Sequence, residues 1–190
     1  KMKAGEVCVA EFTTIVDTSW RKIPLLIADL KAPVDTDQFC MFTGHVDSWY
    51  YGAIDNGTAN AAQMEVARLV SAHQKELKRN FRIVHYSGHS HGRYAGSAWY
   101  ADNFWEELHK SCVVNVNADS LGGKDAMDVQ HSTIMPETMG LAVEVVRHQT
   151  GEQFEGLRAA RNGDQSFWNV GVSSAFASFS RHQKTLQANG

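Results

Sequence analysis

The chain is poor in cysteine and proline, lacks long apolar runs, and shows no dominance of one charge sign. Its three cysteines are Cys8, Cys40 and Cys112. Each lies in an apolar, strand-like run, such as Val7-Cys8-Val9. An odd count without paired spacing argues against a disulfide framework and a zinc knuckle, so these residues are expected as buried small hydrophobes. A formal net charge of −3 gives no electrostatic footprint for nucleic acid or an anionic membrane surface. No apolar run approaches the roughly 20 residues needed to cross a bilayer. No leader pattern is visible, so the expectation is a soluble chain, with the cytoplasm favoured and the oligomeric state open. No Pro/Gly-rich linker, repeat or low-complexity segment divides residues 1–190, which therefore read as one domain. The abrupt opening at Lys1-Met2-Lys3 and the loop-like close at Ala188-Asn189-Gly190 suggest a piece of a longer chain.

What is present is an ordinary globular composition, 43% hydrophobic and 21% charged over 190 residues, enough for one real core. β-Branched and apolar runs predict strands at Val7–Val16, Pro24–Leu30, Phe39–Phe42, Arg82–Tyr86, Cys112–Val116 and Ser173–Phe179. Helical periodicity predicts helices over Asn60–Leu77, Ser97–Leu108 and Pro136–Gln149. In the first of these, Ala61, Met64, Ala67, Leu69 and Val70 form one broad apolar face. Pro136 suits a helix N-terminus, where its missing N–H costs least. Strands followed by strand–helix alternation imply an α/β fold, with a mixed, mostly parallel central sheet and helices on both faces.

Sheets of this kind gather ligands at the carboxyl ends of their strands. Polar residues follow the apolar runs at those places: Thr43-Gly44-His45-Val46-Asp47, Gly88-His89-Ser90-His91 and Asn117-Ala118-Asp119, with Asp55-Asn56 before the first long helix. Imidazole nitrogen and carboxylate oxygen are the donors expected for zinc or a similar divalent ion. The His45-Val46-Asp47 spacing also offers a carboxylate to orient the imidazole from behind or to tune the site electrostatically. Trp49 and Tyr50 stand beside these positions as candidate walls of a substrate pocket.

Gly44-His45-Val46-Asp47-Ser48-Trp49 followed by Gly52-Ala53-Ile54-Asp55-Asn56-Gly57-Thr58 resembles the metal-binding signature of co-catalytic zinc exopeptidases. These are the bacterial leucyl aminopeptidase and glutamate carboxypeptidase type, metallopeptidase family twenty-eight. The likeness continues through Val114–Asp119 and through Asn162–Trp168 with Gly171-Val172, and so covers nearly the whole chain. It implies the zinc-exopeptidase (phosphorylase/hydrolase-like) architecture. It also implies two Zn2+ ions, with His45 and Asp119 on one, Asp55 bridging to the second, and Asp47 behind His45. Asp164 would line the site or support its structure.

The departure lies in the next motif, where the family carries Glu-Glu-x-Gly-Leu-x-Gly-Ser and this chain reads Ser90-His91-Gly92-Arg93-Tyr94-Ala95-Gly96-Ser97. Anchored on Gly96-Ser97, Ser90 takes the place of the general base and His91 that of a metal ligand. A serine hydroxyl is no carboxylate base, and His89 is the alternative, since imidazole is the usual proton carrier near neutral pH. The last ligand of the family, a histidine, is either His182 or a residue beyond Gly190, which would leave the second ion site incomplete here. The resemblance implies a metal-dependent exopeptidase, aminopeptidase-like, acting on a peptide or amide substrate. The alternatives are an amide hydrolase or cyclase on the same fold, or a catalytically impaired peptidase-like binding domain.

Overall fold

The computed structural model describes residues 9–124, 126–130, 132–155, 157–158, 165–178 and 180–181. Its strands are β1 (Leu25–Leu30), β2 (Phe39–His45), β3 (Asn80–Tyr86), β4 (Cys112–Ala118), β5 (Ala126–Asp128), β6 (Thr133–Ile134), β7 (Leu157–Arg158), β8 (Ser174–Ala177) and β9 (Ser180–Arg181). The helices are α1 (Ala59–Ala72), α2 (Ala95–Ser111) and α3 (Pro136–Thr150), and a 3₁₀ segment spans Gln165–Val170. Seven strands form one sheet in the order β1-β3-β2-β4-β8-β6-β7, while β5 and β9 pair separately. β2 runs parallel to both β3 and β4, and β4 runs parallel to β8. The antiparallel ladders of this sheet are β1 with β3 and β6 with β8.

Alternation along the strands decides which helix covers which face. Met41, Thr43 and His45 of β2 lie level with Arg82, Val84 and Tyr86 of β3. Their side of the sheet holds the core of Phe39, Met41, Val84, Tyr86, Tyr100, Ala101, Leu108, Phe167 and Val172. α2 and the 3₁₀ segment supply the covering layer there. Burying a large apolar side chain of this kind stabilises by about 1.5–3 kcal/mol. On the opposite side, Gln63 of α1 donates to the Phe42 carbonyl (3.3 Å). α3 packs there over Val114, Val116, Ala175 and Ala177. Helices on both faces of a mostly parallel sheet are the architecture expected from the sequence.

Two sequence expectations fail. The strand expected at Val7–Val16 is absent over residues 9–16, which carry no regular structure, and Val9, Phe12 and Ile15 stand exposed. β-Branched residues make a strand only where a neighbour completes the ladder, and the place beside β3 is taken by β1. On α1 the apolar face is narrower than the periodicity suggests. Ala59 and Gln63 are buried, whereas Met64 and Leu69 face outward at 70% and 46% exposure. α1 also ends at Ala72, five residues before Leu77, and a 3₁₀ turn follows at Gln74–Glu76. Cys40 and Cys112 are free thiols, half-buried, and burial pushes both up, Cys112 to about 12; Cys8 lies outside the described residues.

Candidate metal centre

The parallel strands β2, β3 and β4 end side by side, and each delivers one group to the same edge: His45, His89 and Asp119. His45 is the last residue of β2 and fully buried. Its Nδ1 lies 2.7 Å from the Asp47 carbonyl, so Nδ1–H donates there and Nε2 is left facing the site. From Nε2, Asp55 Oδ1 is 3.0 Å away and Asp119 Oδ2 3.6 Å. The structure therefore brings His45, Asp55 and Asp119 together although 74 positions separate the first and last. Asp119 is largely buried. Burial pushes its carboxyl up, but the contact with His45 and the hydrogen bond from Ser120 Oγ (3.0 Å) outweigh that and hold it below the usual range. Asp55 is half-exposed at 52% and begins the Asp55–Asn56 cis peptide.

Asp47 has a role different from the one expected. The nearer of its carboxylate oxygens is 3.7 Å from His45 Nδ1, beyond hydrogen-bond reach, and the imidazole is oriented by the backbone carbonyl instead. The carboxylate accepts the backbone N–H groups of His89 (3.2 Å), Ser90 (2.8 Å) and His91 (3.4 Å). Burial alone would raise its pKa; those donors and the adjacent His45 lower it further than burial raises it. Asp47 thus anchors the loop after β3.

That anchoring decides which histidine of Gly88-His89-Ser90-His91 meets the cluster. The His89 ring stacks on His45, centroids 3.8 Å apart and planes 4° from parallel, with Tyr94 edge-on at 4.8 Å. One donor atom from each of His45, His89 and Asp119 lies within 4.8 Å of the others. His91, expected as the ligand, turns away: its Nε2 is 2.8 Å from the Ser48 carbonyl and its ring leans on Trp49 at 4.8 Å. Ser90 contributes its backbone N–H to Asp47 and brings no ionisable group to the cluster. Counting back from Gly96-Ser97 cannot foresee that three adjacent N–H groups share one acceptor. His182 and Asp164 lie outside the described residues. Trp49 and Tyr50 are exposed, at 65% and 88%, with Trp49 against the His91 ring and Tyr50 against Tyr51.

Several supporting residues were not singled out from sequence. Asn56 donates to the Ala118 carbonyl (3.0 Å) and accepts from the Ser120 N–H (3.1 Å), clamping the turn that carries Asp119. Beneath the cluster runs a buried polar ladder. Thr43 Oγ1 donates to Asn115 Oδ1, Asn117 Nδ2 donates to Thr43 Oγ1 (both 3.0 Å), and Asn117 also meets the Tyr86 hydroxyl. The alternating asparagines of Val114-Asn115-Val116-Asn117 were the available signal, since a buried polar side chain in a strand needs a partner.

Two imidazoles with carboxylates beside them are a donor set that fits zinc, which favours nitrogen with oxygen at four-coordinate sites. A cavity of about 590 Å³ between residues 21–27 and α2 includes none of these side chains. The chemistry sits at the open sheet edge.

Fold and cluster define a mixed α/β domain with a His/Asp group at the carboxyl ends of its parallel strands. The sequence profile of peptidase family M28 matches residues 26–184, and the chain belongs to that family. A glutamate carboxypeptidase 2 homolog of Caenorhabditis briggsae is 24% identical over 151 residues, 78% of this chain and 19% of its own length. A zinc aminopeptidase from Bacillus subtilis superposes with a TM-score of 0.66 at 20% identity, over 82% of this chain and 40% of its own. A glutaminyl cyclase from an Acidobacteriales bacterium superposes with a TM-score of 0.68 at 17% identity, over 81% of this chain and 57% of its own. The chain thus spans about a fifth of the length of the carboxypeptidase homolog. Among the described residues, no helix is long and apolar enough to cross a membrane.

Proposed function

We propose that this chain carries the metal centre of a zinc-dependent exopeptidase, aminopeptidase-like, that hydrolyses terminal peptide bonds. The observation that carries the reading is the convergence of His45 Nε2 with Asp55 and Asp119, at 3.0 and 3.6 Å, on the edge where parallel α/β sheets take their ligands. Membership of peptidase family M28 and the fold shared with a zinc aminopeptidase support it.

His45 and Asp119 would hold the ion, with Asp55 beside them on the open side, and when bound, zinc would supply Lewis acidity toward a scissile carbonyl. The chain's own residues do the rest. The Asp47 carbonyl fixes the His45 ring with Nε2 inward. Asn56 and Ser120 hold the Asp119 turn. Asp55 is the most exposed of the three carboxylates at the site, with 52% against 14% for Asp47 and for Asp119, and is the one open to a substrate. Trp49 and Tyr50, exposed near the motif, would offer aromatic surface to an incoming side chain. Elemental analysis of the purified protein and a panel of aminoacyl amides test the reading. Zinc in the protein and turnover abolished by His45→Ala are expected. Turnover indifferent to that substitution would overturn it.

A second reading, amide cyclisation, is favoured by the likeness to a glutaminyl cyclase. Conversion of N-terminal glutamine in a test peptide, without loss of a residue, would select it. A domain that binds peptides without turning them over is the remaining alternative. It predicts metal content with neither product.

A further inference from the structure

The loop after β3 departs from the pattern the chain otherwise resembles, and its geometry assigns a role that residue counting does not. Asp47 gathers the N–H groups of His89, Ser90 and His91 on one carboxylate, so the backbone there is held from below. With the loop so fixed, His89 is directed inward and His91 outward. The His89 ring lies flat on His45, 3.8 Å between centroids and 4° between planes, and Tyr94 closes its flank. Its donor nitrogen falls within 4.8 Å of donors from both His45 and Asp119. His91 is occupied with the Ser48 carbonyl and Trp49.

We propose that His89 is the metal ligand contributed by this loop, and that the centre takes one ion tightly, on His45, His89 and Asp119. The inference rests on the metal-dependent reading above. Two imidazoles and a carboxylate form a nitrogen-rich set that suits zinc and leaves a coordination position open. Such a set disfavours magnesium and calcium, which take oxygen. A carboxylate can bridge two ions, whereas a neutral imidazole offers a single lone pair. An imidazole in place of an acidic ligand also makes the centre one negative charge poorer. Among the described residues, Asp55, half-exposed, is then the only nearby carboxylate left to attract a second ion, because Asp47 is committed to backbone donors.

The test is calorimetric titration of chelator-treated protein with zinc, repeated with cobalt while its visible absorption reports coordination. One tight equivalent is expected. His89→Ala should weaken it by roughly 100-fold or more, since losing even a residue behind a ligand costs up to about that much, and alter the cobalt spectrum. His91→Ala should leave both unchanged. His89→Glu keeps the question open to test if the alanine variant misfolds: it should bind tightly and admit a second equivalent. Full zinc affinity in His89→Ala, loss of binding in His91→Ala, or two equal equivalents in the unsubstituted protein would each overturn the inference. If His45→Ala loses the ion while His89→Ala keeps it, the inference fails and the metal-dependent reading stands. If the unsubstituted protein binds no zinc, both fail.

Discussion

Asp47 shows how one side chain sets the shape of a site without touching a reacting atom. Three backbone donors converge on it, at 2.8–3.4 Å, and its folded pKa is depressed. Removing it as Asp47→Ala leaves those donors short of an acceptor, at a cost of about 1–3 kcal/mol, which urea unfolding would measure. The sign of the pH dependence follows from the direction of the shift. A depressed folded value means that the carboxylate's contribution is complete above its ordinary value of 3.8. It is lost as pH falls through the lower folded value. Acid titration should therefore separate wild type from Asp47→Asn above that window and bring them together below it. Asp47 stands beside His45, as the sequence suggests, within electrostatic reach at 3.7 Å, but its hydrogen bonds go to the loop after β3. The spacing of His-x-Asp cannot show whether the carboxylate or the carbonyl faces the ring. His89 and His91 raise the same difficulty, since two histidines two residues apart are distinguished only by the loop's hydrogen bonds.

At the scale of elements, the close approach of α2 to the end of β3 keeps the site loop short. A Cβ on Gly96 would fall 2.2 Å from the Ser87 carbonyl oxygen and 2.9 Å from the Tyr86 Cβ. The first of these is backbone, so Gly96→Ala must push the helix start away. A loss of about 1–3 kcal/mol is expected, with weaker zinc uptake, because residues 88–94 join the two elements. Arg82 ties the same helix to the sheet. Its guanidinium donates to Asp29 (2.7 and 3.1 Å), to Glu107 (2.8 and 3.0 Å) and to the Tyr100 hydroxyl (2.9 Å), over the Phe39 ring. Arg82→Ala should cost about 1–2 kcal/mol by leaving that cluster without its cation, since both carboxylates are partly exposed to water. Burial, the largest cause, pushes Tyr100 up to about 12. Because the folded value is raised, the stability linked to this phenol is full below its ordinary value of 10.0 and is lost as pH rises toward about 12. Absorbance titration should find a tyrosine ionising well after the exposed ones, and alkaline unfolding should follow it. These strands and helices were legible because their residues alternate or recur with the right period. The 9–16 segment has the same composition but no neighbour to pair with, and composition alone does not supply one.

For the whole molecule, the parallel core of β3, β2 and β4 converts sequence distance into proximity. Residues 45, 89 and 119 become neighbours only because three strand ends stand level. The motifs that carry His45, Asp55 and Asp119 to one place were readable without coordinates. The buried ladder of Thr43, Asn115, Asn117 and Tyr86 was not, since its partners come from three different strands. The most direct test of the account is product analysis by mass spectrometry. Unlabelled peptides, some beginning with glutamine, would be incubated with the protein as purified, after chelation, and after zinc is returned. The account predicts stepwise loss of single terminal residues, abolished by the chelator and restored by zinc. Internal fragments, or products that persist unchanged through chelation, would contradict it.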